Sequence, residues 1–386
     1  MENTKQNNLA FYSGLIYLTI MALFFIIKIC AYFGLLNFPY SNYIFKILIQ
    51  VGLMFVLPIF LYSKLFKKNI KQTFKFFGFR KVSTNTILLS FVVGIFVFIL
   101  VTYFSSLWSS ILSLFGYKFS VSQSEYSVLT FFLDLLFVAI LPGICEETTH
   151  RGLVLNGTKK NGAVRAIILT GLLFGLLHLN IVQFGYAFMV GMLLCLVTLL
   201  CHSIIPAIII HFTNNALSLF VSYSLNSEFM HNSIIDWLFS FQASANIVTL
   251  VVFRILLIII SISVISMCLT KFFQEGKNAE YQKFKKNLKI QVEKNNLTDT
   301  INPNDDKQVF AIYRHIALLT LNKQIEDKKI NAMDIIFNNS KNATELLLSE
   351  NLTAPEKPHK KSYIFYYIAI FVGSVGTILS LISGLL

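Results

Sequence analysis

Acidic side chains are scarce over most of this chain. Of 19 Asp and Glu in 386 residues, 12 fall between positions 273 and 362, leaving seven for all the rest. Charged residues of every kind make up only 13%, against 55% hydrophobic. An ordinary soluble domain carries about 25% charge, so that class is excluded. The five cysteines, Cys30, Cys145, Cys195, Cys201 and Cys268, have neither metal-like nor framework spacing. They read as small buried hydrophobes. No cleavage site follows the polar opening MENTKQNNLA, so the first apolar run is expected to be a retained helix. No internal repeat is visible.

Long apolar runs are what the chain does have. Candidate helices cover about 10–36, 43–65, 86–117, 127–158, 165–180, 181–201, 203–224, 246–272 and 363–386. The expected fold is an all-α polytopic membrane bundle of about nine transmembrane helices around a polar cavity. The fourth run exceeds one straight crossing and contains Pro142-Gly143, so a kink or break is expected there. HLNIVQ alone parts the fifth and sixth runs.

Lysine and arginine set the orientation. The loop 64–81, KLFKKNIKQTFKFFGFRK, has seven positive charges and no acid. Lys159, Lys160 and Arg165 mark a second basic turn, and 273–362 holds 15 Lys and Arg. With a cytoplasmic N-terminus and nine spans, all three fall on the cytoplasmic side of a cell membrane and the C-terminus falls outside. The net charge of +13 then reflects topology and contact with anionic lipid, not nucleic acid.

The chain divides into N-terminal helices with the basic loop (1–124), a core (125–222), an eighth span with its outer loop (223–272), a polar segment (273–362) and a final helix (363–386). The polar segment begins as a helical extension of the eighth span. Farther on, Val309, Ile312, Ile316 and Leu319 stand at helical spacing, fit for packing or for a membrane surface. Residues 349–361 read as linker. Asn296, Asn342 and Asn351 open N-x-T matches that mean nothing on the cytoplasmic side.

Against this background CEETTHRG, residues 145–152, sets Glu146, Glu147, His150 and Arg151 within an apolar stretch. A charge near the bilayer centre costs at least about 2.5–3.5 kcal/mol, so such groups face a cavity and pair. Glu147 and Arg151 are four apart on one helical face, suited to an ion pair. Glu146 points about 100° away and needs partners from other helices. Three groups share a depth. Glu146 lies roughly 20 Å from Lys159, His178 about as far from Arg165, and His211 roughly 14 Å from His202. Asn215 follows His211 on the same face. A Glu, two His and an Asn converging inside a membrane is a catalytic inventory.

EETTHR, Phe174 to His178 and His211 to Asn215 match the patterns EExxxR, FxxxH and HxxxN in that order on successive helices. Together they resemble the CPBP family: type II CAAX prenyl endopeptidases and bacterial Abi or bacteriocin-processing proteins. The resemblance covers roughly 125–222. The basic segment before the third span also resembles one that often precedes this core. The resemblance implies that Glu146 and His178 hold and deprotonate a water, and that His211 and Asn215 donate to the oxyanion. Glu147, Arg151 and Phe174 would support them. Poor solvation makes a carboxylate a stronger base, and a neutral amide suits an oxyanion hole. Glu146, His178 and His211 would also make an acceptable zinc set with water as fourth ligand, although the motif permits a metal-free, glutamate-activated water.

Thr148-Thr149-His150 departs from the apolar residues usual between the second Glu and the Arg. His150 reads as lining the cavity, or as a partner or extra ligand beside Glu146. Asp134 reads as structural or as part of a substrate cavity, His202 as interfacial, and Lys28 as snorkelling. The leading function is an intramembrane endopeptidase acting on a peptide or membrane-protein substrate. The alternative is a non-catalytic immunity, scaffold or partner-binding protein of the same fold. A transporter would show paired repeats, and none is seen. The Lys, Asn, Ile and Phe bias suggests an AT-rich, bacterial genome, and so pheromone, bacteriocin or membrane-protein processing.

Overall fold

The computed structural model describes residues 8–35, 41–119, 125–294, 302–314 and 363–385. Among them every regular element is helical, and the protein is a polytopic membrane helix bundle. Eight helices are long and apolar enough to cross a membrane. They are α1 (Leu9–Tyr32), α2 (Ser41–Ile47, Leu48–Val56 and Leu57–Phe66 run together), α4 (Thr84–Leu114), α5 (Val128–Asn161), α7 (Ile181–Cys201), α8 (Ile205–Asn226), α10 (Ile247–Lys294) and α11 (Ile364–Leu385). The ninth apolar helix is shorter, α6 (Ala163–Leu177). At 1.5 Å per residue α6 rises only about 22 Å, against the roughly 30 Å of a hydrocarbon core. Its C-terminal end, His178, therefore stops inside the bundle. Two short helices remain, α3 (Ile70–Phe76) and α9 (Ser233–Ser244).

The first and last apolar helices run parallel. Ser13 Oγ lies 2.8 Å from the Tyr366 hydroxyl near the start of both, and Phe11 packs on Phe365 with centroids 4.8 Å apart. Farther along, a Cβ on Gly373 would sit 3.2 Å from Met21 Cε. Parallel first and last helices fit an odd number of crossings, and among the described residues α6 is the helix that could supply a ninth. At the other end of α11, Lys118 N–H donates to Gly384 O, and Ile181 N–H to Ser380 Oγ.

Of the kink or break expected at Pro142-Gly143, the break does not occur: α5 is helical from Val128 to Asn161. Its turn widens to π geometry over Leu135–Ile140 and again over Thr148–Leu155. Pro142 has no N–H to give an ordinary α turn, and the π stretch just ahead of it absorbs that defect without ending the helix. A third π stretch, Leu48–Val56, lies in α2.

The buried side chains form two large apolar clusters. One joins α1, α2, α11 and one side of α5 and α6; the other joins α4, α7, α8, α10 and the opposite side of α5 and α6. The polar residues of CEETTHRG sit at the seam between them. The basic loop is pinned to this core. Asn69 and Gln72 cap α3 reciprocally. Asn156 Nδ2 donates to Phe76 O at 2.9 Å, and Ile204 N–H to Gly78 O at 3.0 Å. Phe77, fully buried, lies against Gly152, where an added Cβ would come 2.6 Å from Phe77 Cδ1 and 3.2 Å from its carbonyl oxygen. Gly152→Ala is therefore expected to cost about 1–3 kcal/mol by overpacking. Thermal unfolding in detergent, compared with Gly52→Ala, checks it; at Gly52 the nearest atom is a leucine methyl at 3.5 Å.

α10 extends far beyond its apolar part, as its charged continuation suggested. Phe284, Leu288 and Val292 on that extension bury Val309, with Ile312 and Tyr313 alongside. The spacing of Val309 and Ile312 thus serves packing. Ile316, Leu319, Asn296, Asn342, Asn351 and the linker 349–361 lie outside the described residues.

Candidate active site

α5 delivers two carboxylates to two different environments. Glu147 is fully buried. One of its oxygens, Oε1, accepts from Arg151 Nη1 at 2.8 Å and from His211 Nδ1 at 2.9 Å. Arg151, also sealed from solvent, gives Nη2 to Gly191 O at 2.9 Å and lays its guanidinium 4.5 Å from the centre of the Phe174 ring. Glu146 is half-buried and faces α2, where Gln50 Nε2 donates to its Oε1 at 2.8 Å. His178, Tyr17 and Tyr186 lie within range of its charge.

Phe174 is the centre of the cluster. Its ring packs edge-on against His150, His178 and His211, with centroids 5.0, 5.3 and 5.7 Å away. His178 and His211 are thus brought to one aromatic ring, which spaces them. His178 directs Nδ1 at Phe174 O, 2.9 Å away. Each of these Nδ1 atoms faces an oxygen that only accepts, so each carries hydrogen and leaves Nε2 as the acceptor of the neutral ring. Asn215, on α8, gives an amide hydrogen to Val138 O at 2.9 Å and takes one from Asn214 at 3.0 Å.

The three polar residues in the middle of the motif have partners of their own. Thr148 Oγ1 donates to Ile144 O at 2.8 Å, and Thr149 Oγ1 to Met54 O at 2.5 Å, joining α5 to the π stretch of α2. His150 neither lines an open cavity nor meets the Glu146 carboxylate. Its Nδ1 is 2.8 Å from the Glu146 main-chain oxygen, its Nε2 3.3 Å from the Tyr17 hydroxyl, and its ring is fully buried. An α1 tyrosine standing opposite makes room for a histidine here.

Two residues of the cluster were not read from the motifs. Gln50 had a weak signal, as the one amide in an otherwise apolar run, and Tyr17 had none among many aromatics. Asp134 accepts from the Tyr223 hydroxyl at 2.8 Å with Lys46 3.9 Å away. His202 pairs with Glu280 at 2.8 Å, and Lys28 sits over the Phe24 ring. Cys145 is buried beside Glu146, and all five cysteines are unbridged.

The metal reading fares less well. Nδ1 donation to an oxygen is how metal-bound histidines are oriented. Yet among the described residues no three His, Cys, Asp or Glu side chains are grouped as a metal ion requires. The set Glu146, His178 and His211 is not assembled, and His211 is turned to Glu147 instead.

Residues 128–217 match the family model described as type II CAAX prenyl endopeptidase, Rce1-like. The match agrees with the resemblance of this segment to the CPBP family of intramembrane proteases. The matched residues run from the start of α5 into α8 and hold every motif residue of the CPBP core, Glu146 to Asn215. No curated protein and no solved structure matches the chain.

Proposed function

We propose that the protein is an intramembrane endopeptidase in which Glu146 is the general base. The observation that supports this most is the split between the two adjacent acids. Glu147 is spent on Arg151 and His211, whereas Glu146 stays partly accessible, with one oxygen held by Gln50. In this reading Glu146 takes a proton from a water placed between it and His178. The resulting hydroxide adds to the scissile carbonyl carbon. The tetrahedral oxyanion is met by His211 and by an Asn215 amide hydrogen. Collapse breaks the C–N bond, and the proton held by Glu146 passes to the leaving amine. With Nδ1 committed to Glu147, His211 meets the oxyanion through Nε2, which must carry a hydrogen for that step.

Substrates in this reading are peptides or membrane proteins, and membrane lipids surround the bundle. In this reading the N-terminus lies on the cytoplasmic side of a bacterial cell membrane, an orientation that the basic loop and turns support. Bacteriocin or pheromone processing fits that setting. Gln50 positions Glu146 through one charge-assisted hydrogen bond, worth about 1.5–3 kcal/mol. Gln50→Leu is therefore expected to lower the turnover of a cleaved reporter about 10–100-fold at unchanged protein level. An unchanged turnover would remove Gln50 from the account.

A second reading has its own observation. The Asn215 amide is already held by Val138 O, and His211 by Glu147, so this part of the cluster also works as a clamp between α5 and α8. A non-catalytic scaffold or immunity protein would keep such a clamp. Glu146→Gln separates the two: it removes proteolysis under the first reading and leaves function intact under the second.

A further inference from the structure

A basic surface lies outside the site above. Where α2 ends and α4 begins, α3 and the strand-like stretch after it bound a cavity of about 570 Å³. Lys71, Lys75 and Arg80 supply cations from the loop, and Lys283 supplies a fourth from the α10 extension. All four are exposed. The floor is apolar, built from Ile70, Phe74 and Phe79. No acid lines it. Of the nearby α10 acids, Glu275 accepts from Ser83, and Glu280 pairs with His202 and Lys277.

From this combination we infer that the cavity binds the phosphate-bearing headgroup of an anionic membrane lipid. The cations would take the phosphodiester, and Ile70, Phe74 and Phe79 the glycerol and the upper acyl chain. Position supports a lipid rather than a soluble anion. α3 joins the ends of two membrane-crossing helices, so it lies at the level of headgroups, with its lysines and Ile70 exposed and Phe74 half-buried. A soluble phosphate would have no use for the aromatic floor. The loop is also tied to the motif helix through Asn156 and Phe76 and to the start of α8 through Gly78 and Ile204. An occupied cavity would brace the element on which the catalytic helices rest.

The test uses the full chain in a neutral detergent, with native mass spectrometry of added lipids. Phosphatidylglycerol is expected to bind at least tenfold tighter than phosphatidylcholine. Lys71→Ala/Lys75→Ala/Lys283→Ala is expected to erase that preference. Lys64→Ala/Lys67→Ala/Lys81→Ala, equal in charge but outside the cavity, is expected to keep it. Added inorganic phosphate or glycerol phosphate should displace the lipid only at far higher concentration. Equal binding of the two lipids, equal loss in both triple variants, or displacement by phosphate at matched concentration would each overturn the assignment. The comparison of lipids on the unaltered chain stands even if a variant fails to fold.

Discussion

Glu146→Gln is expected to reduce cleavage by about 10²–10⁴-fold, the range a general base contributes, while the protein accumulates in membranes at its normal level. The substitution keeps the size of the side chain, and its amide can still accept from Gln50. What it loses is the ability to take a proton. Glu147→Gln, one residue on, should behave differently. It leaves Arg151 without a counter-charge in a fully buried position and weakens the hold on His211. Its first effect is on stability, and lost activity follows lost fold. Cleavage of a membrane-embedded reporter, normalised to folded protein, separates the two. Equal activity per folded molecule in the wild type and Glu146→Gln would remove Glu146 from the chemistry.

The second large effect concerns Arg151. Its guanidinium is sealed, bonded to Glu147 and Gly191 O, and stacked on Phe174. Breaking a buried pair by removing one partner costs about 3–5 kcal/mol, because the other charge is left uncompensated. Arg151→Met is expected to fall in that range and to lower the unfolding temperature sharply. Adding Glu147→Gln to it should recover part of the loss, since no bare carboxylate then remains. The double-mutant cycle on thermal unfolding measures this coupling. Simple additivity of the two substitutions would contradict the pair as drawn.

Much of the bundle was legible because its determinants are local in sequence. Apolar runs long enough to cross a bilayer announce helices, and the two ends of α6 and α7 differ from expectation by only a few residues. The Glu147–Arg151 pair follows from spacing alone, since residues four apart share a face. A similar depth for His178 and His211 came from counting along helices at 1.5 Å per residue, and both rings pack on Phe174. What spacing does not carry is the rotation of one helix against another. Gln50 reaches Glu146 across 96 positions, and Tyr17 reaches His150 across 133. No periodicity within either segment encodes that. The π stretches were hidden for a related reason. Pro142 signals a defect in the α pattern, yet whether the chain kinks or widens depends on what packs around it, here α2 and α8. His150 likewise looked like a partner for the Glu146 carboxylate on helical spacing, and its neighbour from α1 turned it toward the main chain.

The most direct measurement is a paired comparison of the peptides in host cells carrying the wild-type protein or Glu146→Gln at equal membrane abundance. The account predicts at least one fragment present only with the wild type, its new terminus marking the bond cleaved. Identical peptide profiles, with the wild-type phenotype retained in Glu146→Gln cells, would contradict it and leave the polar cluster as a clamp between helices.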